Sequence, residues 1–325
     1  METVRLGQSG LRVSAICLGT MTFGREADRD TSFAIMDAFR ERGGFFLDTA
    51  DIYAKSASEE IVGQWIESRG LRHDIVLATK VFGKVGPGPN EYGLSRIHMI
   101  REVEESLRRL RTDEIDLYQI HRWHPEAPVE ETARALDDLI RQGKVRYVGS
   151  SNLRAYQLLN YLTVQRDLRL DRFISHQPQY SAVNRSIELE TLPVCSREGL
   201  GVISYNPLAG GLLTGKYASG QKLPAGTRLD DLEEYRKRYL HEEALAIASH
   251  MDVAARERGM SPAQLALAWV IAEPRITAPI VGARTVQQLT DTLGALDHPL
   301  SPEERAKIPA VPAGRWIGED IVYDR

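Results

Sequence analysis

Short apolar runs alternate with longer segments of helical periodicity along most of this chain. The helix predicted at residues 30–42, for example, carries Phe33 and Met36 one turn apart on its apolar face. The predicted strands are residues 15–19, 45–48, 75–79, 115–120, 145–149, 173–176, 201–205 and 277–281. The predicted helices are residues 30–42, 58–68, 95–110, 130–142, 153–165, 186–198, 241–258, 261–272 and 285–295. This alternation indicates repeated strand–helix units.

The order of these units predicts the fold class. Apolar strands joined by helical crossovers require a parallel sheet that helices cover. Eight such units favour a closed (β/α)₈ TIM barrel over an open, doubly wound sheet. Turn residues at 7–10, between short extended segments, predict an N-terminal β-hairpin.

The rest of the chain shows no break in composition, so we interpret residues 1–325 as a single barrel domain. Three predicted loops exceed the usual length: residues 82–94, residues 206–240 and the tail after residue 309. Long loops of this kind usually cover a functional site, and we expect them at the C-terminal face of the barrel.

Composition and charge exclude several classes of partner. The formal net charge of −4 leaves no basic excess for binding nucleic acid. No apolar run approaches the roughly 18 residues of a membrane span, and the N-terminus lacks the apolar core of a signal peptide. Cys17 and Cys195 both have apolar neighbours, which favours buried free thiols and a cytoplasmic location over a disulfide. The sequence does not predict the oligomeric state.

Three successive predicted strands end on side chains suited to acid–base chemistry. Asp48, Lys80 and His121 stand at their carboxyl ends. Tyr53 follows Asp48 by five positions. In a parallel barrel all these ends meet at one face, so we expect the four side chains to form one site.

These four residues could donate a proton to a carbonyl oxygen. A tyrosine has an ordinary pKa of about 10, and a neighbouring Lys80 ammonium is expected to lower it. Asp48 would keep Lys80 charged and in place, and His121 could orient the carbonyl oxygen. None of these groups can deliver a hydride, so a cofactor would have to supply it.

The same residues resemble the catalytic tetrad of the aldo-keto reductases. Further segments match that family in order, and together they run from about residue 3 to residue 296. They are Gly19–Gly24, Tyr118–His121, Gly149–Asn152, Gln177–Tyr180, Tyr205–Tyr217 and Gly282–Leu289. The resemblance implies a barrel that binds NADP(H) and reversibly reduces carbonyl compounds. It also implies that Tyr53 is the proton donor.

The resemblance further implies a set of cofactor contacts. Ser151, Asn152 and Gln177 would hold the nicotinamide carboxamide, Tyr205 would stack on its ring, and Arg284 would bind the adenosine 2′-phosphate. The complete implied set is Gly19, Thr20, Met21, Asp48, Ser151, Asn152, Gln177, Tyr205, Asn206, Pro207, Leu208, Ala209, Gly210, Lys216, Arg228, Gly282, Arg284, Gln288, Asp291 and Thr292. Asn206 replaces the family's usual serine, and Asp291-Thr292 replaces its usual Glu-Asn near the adenine.

The substrate pocket is expected to have aromatic walls, which fit an apolar or planar carbonyl compound. Its predicted residues are Met21, Phe23, Tyr53, Phe82, His121, Trp123 and Trp316. The predicted partner is therefore a small-molecule carbonyl substrate.

Other functions remain open at this stage. Asp48 and Lys80 could form an ordinary structural ion pair. Potassium-channel β subunits share the barrel and the cofactor, which leaves a binding role as a second hypothesis. A metal-dependent hydrolase is a third, although the pair His121 and His124 has no further His or Cys nearby, and we predict no metal site. Gly215-Lys216 precedes Tyr217 rather than Ser or Thr, which argues against a P-loop.

Overall fold

Eight parallel strands form one continuous sheet in the computed structural model, which describes residues 1–217 and 223–312. The strands are β3 (Cys17–Gly19), β4 (Phe46–Asp48), β5 (Val76–Val81), β6 (Ile115–Ile120), β7 (Val145–Ser151), β8 (Phe173–Gln177), β9 (Gly201–Val202) and β10 (Ile280–Val281). Each strand from β3 to β8 pairs with the next along the chain, and β10 pairs with β3. This order confirms the predicted (β/α)₈ barrel.

Backbone hydrogen bonds close the barrel between its last two strands. The Thr277 N–H donates to the Val202 carbonyl at 2.8 Å, and the Ile280 N–H donates to the Ser204 carbonyl at 2.7 Å. Pro279 lies between these donors and has no N–H of its own, which interrupts the ladder. Strands β9 and β10 are therefore shorter than the segments that the apolar pattern predicts.

An antiparallel hairpin precedes the barrel, as predicted. It consists of β1 (Thr3–Arg5) and β2 (Arg12–Ser14). Leu6 and Val13 are buried against interior residues of the barrel, including Phe46 and Ala78. The Gln8 N–H in the hairpin turn donates to the Gly199 carbonyl at 2.9 Å, just before β9, so the hairpin packs against the opposite end of the barrel from the expected site.

Helices cover the outside of the sheet. They are α1 (Arg29–Glu41), α2 (Ala57–Arg69), α3 (Arg96–Leu110), α4 (Val129–Arg141), α5 (Ala155–Asp167), α6 (Thr191–Glu198), α7 (Arg228–Asp231), α8 (Glu233–Tyr239), α9 (Glu242–Glu257), α10 (Pro262–Ile271), α11 (Val286–Leu293) and α12 (Pro302–Lys307). Their buried faces form the main core, in which Trp65 of α2 and Trp269 of α10 are fully enclosed. Within the described ranges no helix is long and apolar enough to cross a membrane.

Two segments differ from the predicted elements. The helix predicted at residues 186–198 is a 3₁₀ turn, Ser186–Glu188, followed by α6. Pro193 lacks the N–H that a continuous helix would bond to Leu189, which accounts for the break. The long loop predicted at 206–240 contains a 3₁₀ segment, Ala209–Thr214, together with α7 and α8. Residues of this segment lie at the carboxyl end of the barrel, where the site is expected.

Candidate active site

The side chains of Asp48, Tyr53 and Lys80 meet at the carboxyl end of the barrel. The Lys80 Nζ lies 2.5 Å from Asp48 Oδ2 and 3.1 Å from Tyr53 Oη, within hydrogen-bond distance of both. It also donates to the Thr49 carbonyl at 2.8 Å. The Lys80 side chain is fully buried, so these three acceptors account for all three of its N–H donors.

Strand register and a tight turn hold these groups in place. The backbone N–H of Asp51 donates to the Lys80 carbonyl at 3.1 Å, which fixes the chain after β4 to the end of β5. Ala54 and Ser56 follow with positive φ angles, and the Ser56 hydroxyl donates to the Asp51 carbonyl at 2.8 Å. Tyr53 is thus carried by a strained turn rather than by a strand, as is common at functional sites.

The charges at this point keep Lys80 protonated. Burial opposes the ammonium, but Asp48 and Tyr53 together hold the pKa of Lys80 above its ordinary value. Burial also raises the pKa of Tyr53, and the Lys80 ammonium only partly offsets this effect. Lys80 thus lowers the pKa of Tyr53, as expected, but burial outweighs this effect and the net pKa lies above the ordinary value. The phenol keeps its proton at neutral pH, as a proton donor must.

His121 lies beside Tyr53 just after β6. The two rings meet edge to face, with 5.8 Å between their centroids. Burial, followed by the positive charges of Lys80 and Arg122, lowers the pKa of His121 well below its ordinary value. The imidazole is thus neutral at pH 7, and it can donate one hydrogen bond without competing for the Tyr53 proton.

Polar side chains from the next strands surround the second oxygen of Asp48. Gln177 Nε2 donates to Asp48 Oδ1 at 2.8 Å, and Gln119 Nε2 donates to the same atom at 3.1 Å. Sequence reasoning missed Gln119. Its position two residues before His121, on the same inward face of β6, was the available signal.

A second hydrogen-bonded group lies at the ends of β7 and β8. The Tyr205 hydroxyl donates to Asn152 Oδ1 at 2.8 Å, and Asn152 Nδ2 donates to the His121 carbonyl at 3.0 Å. Ser151 Oγ donates to the Gln177 carbonyl at 2.8 Å. The structure therefore brings together the residues that were expected to hold the nicotinamide.

A cleft of about 720 Å³ opens over these groups. The predicted site residues on its walls are Gly19, Met21, Asp48, Tyr53, His121, Asn152, Gln177, Tyr205, Asn206, Pro207, Leu208, Gly210, Lys216, Arg228, Gly282, Arg284, Gln288, Asp291 and Thr292. The cleft thus extends from Tyr53 and His121, which we call the Tyr53 end, to the start of α11.

Several predicted residues do not line this cleft. Phe23 is fully buried in the core because its backbone turns back to bridge Ala27. The rings of Phe82 and Trp123 pack against neighbouring aromatic rings instead. The side chains of Thr20, Ser151 and Ala209 are buried beneath the wall. Trp316 lies outside the described residues.

Sequence reasoning missed a cluster of charges at the α11 end. Glu26 follows β3, and its carboxylate lies 2.6 Å from Arg25, 3.5 Å from Arg284 and 3.6 Å from Arg228. Burial raises the pKa of Glu26, but these arginines outweigh it and hold the pKa below its ordinary value. The carboxylate therefore stays charged and ties together three separate loops.

The start of α11 presents donors and cations to the cleft. Thr285 caps the helix by accepting from the Gln288 N–H at 3.2 Å, and Arg284 Nη1 donates to the Gly226 carbonyl at 2.8 Å. Asp291, which is shorter than the family's usual glutamate, accepts from the Ser261 hydroxyl at 3.0 Å. Its side chain is therefore engaged with the start of α10. A phosphate fits this helix N-terminus and its arginine.

The donor set fits a nicotinamide dinucleotide better than a metal. Amides of Asn152 and Gln177 lie at one end of the cleft, and Arg228 and Arg284 lie at the other. Across the described positions, no three His, Cys, Asp or Glu side chains are grouped as metal ligands. His124 is engaged elsewhere, since its Nδ1 accepts from the Leu94 N–H at 3.0 Å.

Comparison with known proteins agrees with this geometry. A family model described as "Aldo/keto reductase family" matches residues 15–312. The chain is 42% identical over 316 residues to the uncharacterized oxidoreductase YrpG of Bacillus subtilis (strain 168), with 93% of each chain covered. It is 35% identical over 310 residues to norsolorinic acid reductase stcV of Emericella nidulans, covering 91% of this chain and 77% of that one.

Another relative is named as a channel subunit rather than as an enzyme. The chain is 39% identical over 318 residues to a probable voltage-gated potassium channel subunit beta of Oryza sativa subsp. japonica, with 96% of each chain covered. Barrel, cleft and relatives together define an oxidoreductase built on a (β/α)₈ barrel. The chain belongs to the aldo/keto reductase family.

Proposed function

We propose that this protein is an NADP(H)-dependent reductase that converts an aldehyde or ketone to an alcohol, with Tyr53 as the proton donor. The observation that carries this proposal is the position of the Lys80 ammonium between Asp48 and Tyr53, at 2.5 Å and 3.1 Å. A structural ion pair alone would not require a phenol on the same ammonium, at the wall of a large cleft.

The residues divide the chemistry among them. When bound, NADP(H) supplies the hydride that the protein side chains cannot provide. Tyr53 donates its proton to the carbonyl oxygen, and the adjacent Lys80 ammonium stabilises the phenolate that this transfer leaves. Neutral His121 donates a hydrogen bond to the same oxygen and fixes its orientation. Asp48 keeps Lys80 charged through the reaction.

The cofactor preference rests on the opposite end of the cleft. Arg284 presents a planar guanidinium at the start of α11, where a 2′-phosphate would gain bidentate hydrogen bonds. Arg228 and Lys216 line the same cleft and would meet the pyrophosphate region. NADH lacks the 2′-phosphate, so we infer that NADPH is preferred.

The proposal also includes a cytoplasmic location for the protein. Cys17 and Cys195 are buried free thiols, and burial raises the pKa of each. Unreactive thiols fit a reducing compartment, which supports a cytoplasmic enzyme that acts as a single domain over residues 1–325.

The proposal is tested by following NADPH oxidation at 340 nm with neutral aromatic aldehydes. The wild-type protein is expected to turn them over, and Tyr53→Phe is expected to lose at least about 100-fold in kcat. Tyr156→Phe is the matched control, because Tyr156 is 65% exposed on α5. Unchanged turnover in Tyr53→Phe would remove Tyr53 from its role.

A channel-binding role is the second candidate, because the rice relative is named as a probable channel subunit. Size-exclusion chromatography of the purified protein, alone and added to cell extract, separates the two. A shift to a large complex without measurable carbonyl reduction would favour binding over catalysis.

A further inference from the structure

Two arginines in the cleft have no acidic partner among the residues that the structure describes. Other half-buried arginines do: Arg109 lies 2.7 Å from Glu59, and Arg185 lies 2.8 Å from Glu188. In the part of the chain that the structure describes, neither Arg122 nor Arg238 has a carboxylate within ion-pair distance. Arg238 is buried and Arg122 is half-buried, and removing such charges from water without a counter-ion is costly, so a cleft that contains both is suited to an anion.

Arg122 is the arginine next to the proposed chemistry. It directly follows His121, it lines the cleft, and its charge acts on the imidazole. Its guanidinium carbon lies 5.1 Å from the centre of the Phe82 ring, which holds the side chain in one orientation. Its Nε is buried and has no hydrogen-bond partner. The head group thus carries donors that the described protein atoms leave unused.

The remaining charges do not cancel Arg122. Lys80 and Asp48 neutralise each other at 2.5 Å. The arginines at the α11 end share the Glu26 carboxylate. Glu234 also lines the cleft, but it is solvent-exposed, where water screens its charge.

Arg238 adds a second positive charge to the same cleft. It is only 9% exposed, and its neighbours are neutral: Gln179 Oε1 at 3.4 Å and the Tyr235 ring at 5.8 Å. The same Tyr235 ring lies 5.4 Å from the Arg228 guanidinium carbon, so Arg238 adds its charge to the wall that both arginines share. The cleft as a whole therefore has a net positive potential.

We propose that Arg122 is a specificity-determining residue, which binds the carboxylate of an anionic carbonyl substrate while Tyr53 and His121 contact its carbonyl oxygen. This inference rests on the proposed function and narrows its substrate class. A planar guanidinium matches a carboxylate with two parallel hydrogen bonds, which a lysine cannot reproduce. Aromatic aldehydes that carry a carboxylate satisfy both the aromatic and the cationic parts of the cleft.

The test compares 4-carboxybenzaldehyde with its methyl ester, which differ in charge at nearly constant shape. The wild-type kcat/KM is expected to favour the carboxylate at least about ten-fold, mainly through KM. In Arg122→Gln this preference should fall at least about ten-fold, and Arg122→Lys should be intermediate. Arg108→Gln is the matched control, since Arg108 is 67% exposed on α3. An Arg122→Gln preference equal to that of the wild type would overturn the proposal.

Two further measurements test the proposal if the variant does not fold or if no aldehyde is reduced. The wild-type KM for the carboxylate should rise with salt while that for the ester stays constant; equal salt dependence would contradict the proposal even if Arg122→Gln fails to fold. Calorimetry with 4-(hydroxymethyl)benzoate reports carboxylate binding without turnover. If no aldehyde is reduced but Arg122→Gln binds this probe at least ten-fold more weakly, the proposed reaction fails and the carboxylate site stands. Equal binding by the two proteins would reject the site itself.

Discussion

The Lys80 Nζ lies 2.5 Å from Asp48 Oδ2, and both side chains are almost completely buried. Two amides, Gln119 and Gln177, donate to the other Asp48 oxygen. Both oxygens of Asp48 are therefore engaged in hydrogen bonds, and its charge balances an ammonium that water cannot reach. The site depends on this pair for both stability and charge.

Replacing Asp48 by Asn would leave the Lys80 ammonium buried and uncompensated. We expect Asp48→Asn to lower the free energy of unfolding by about 3 kcal/mol, as measured by urea denaturation at pH 7. Asp30→Asn is the control, because the Arg29–Asp30 pair is exposed and should contribute almost nothing. A loss below 1 kcal/mol in Asp48→Asn would show that the pair is not the stabilising element.

A second buried acid, Asp51, predicts a pH dependence of stability. Burial raises the pKa of Asp51 to about 7, although the N–H groups of Phe82 and Gly83 donate to its Oδ2 and lower it. The unfolded value is about 4, so the folded protein binds the proton more tightly. This contribution to stability is complete below pH 4 and is lost as the pH rises through 7.

Asp51→Asn should remove that dependence, because an amide accepts the same two N–H donors and does not titrate. The free energy of unfolding of the variant minus that of the wild type is expected to rise by about 2 kcal/mol from pH 5 to pH 8, as measured by urea denaturation at both pH values. Taking the difference between the two pH values cancels any constant cost of the substitution. If the variant and the wild type differ in free energy of unfolding by the same amount at both pH values, the pH dependence belongs to another group.

The cofactor end allows a separate prediction. Arg284→Ala should raise the KM for NADPH about ten-fold and leave the KM for NADH nearly unchanged, because a charge-assisted contact to the 2′-phosphate is lost. Arg29→Ala is the control, since Arg29 pairs with Asp30 on the surface. An equal rise for both cofactors would mean that Arg284 acts on the shared pyrophosphate or on the structure.

The sequence predicted the barrel and the tetrad because both follow from local patterns. Each predicted strand is an apolar run, and the residue after such a run lies at the carboxyl end of the barrel. Asp48, Lys80 and His121 could therefore be assigned to one face before any contact was known. Helix bounds such as Ala57–Arg69, against the predicted 58–68, follow in the same way from periodicity.

Other features depend on contacts between distant segments. Glu26 reaches Arg284 from the other end of the chain, and no local pattern records that pairing. Tyr235 and Arg238 come from a segment that reads as a polar loop, yet they line the cleft. Phe23 was predicted to line the pocket as one of its aromatic residues, while the turn that buries it is a property of the backbone. The raised pKa of Tyr53 likewise depends on burial, which the sequence does not quantify.

Deuterium transfer from NADPH to the carbonyl carbon is the most direct test of the proposed reduction with Tyr53 as proton donor. NADPH labelled with deuterium at the transferable position of C4 is mixed with excess protein and one equivalent of 4-nitrobenzaldehyde, and the alcohol is analysed by mass spectrometry after a single turnover. We expect one deuterium at the carbinol carbon with the wild type. We expect almost no product with Tyr53→Phe, although the variant binds NADPH with an unchanged Kd. Labelled alcohol formed at the same rate by both proteins would contradict the role of Tyr53 as proton donor.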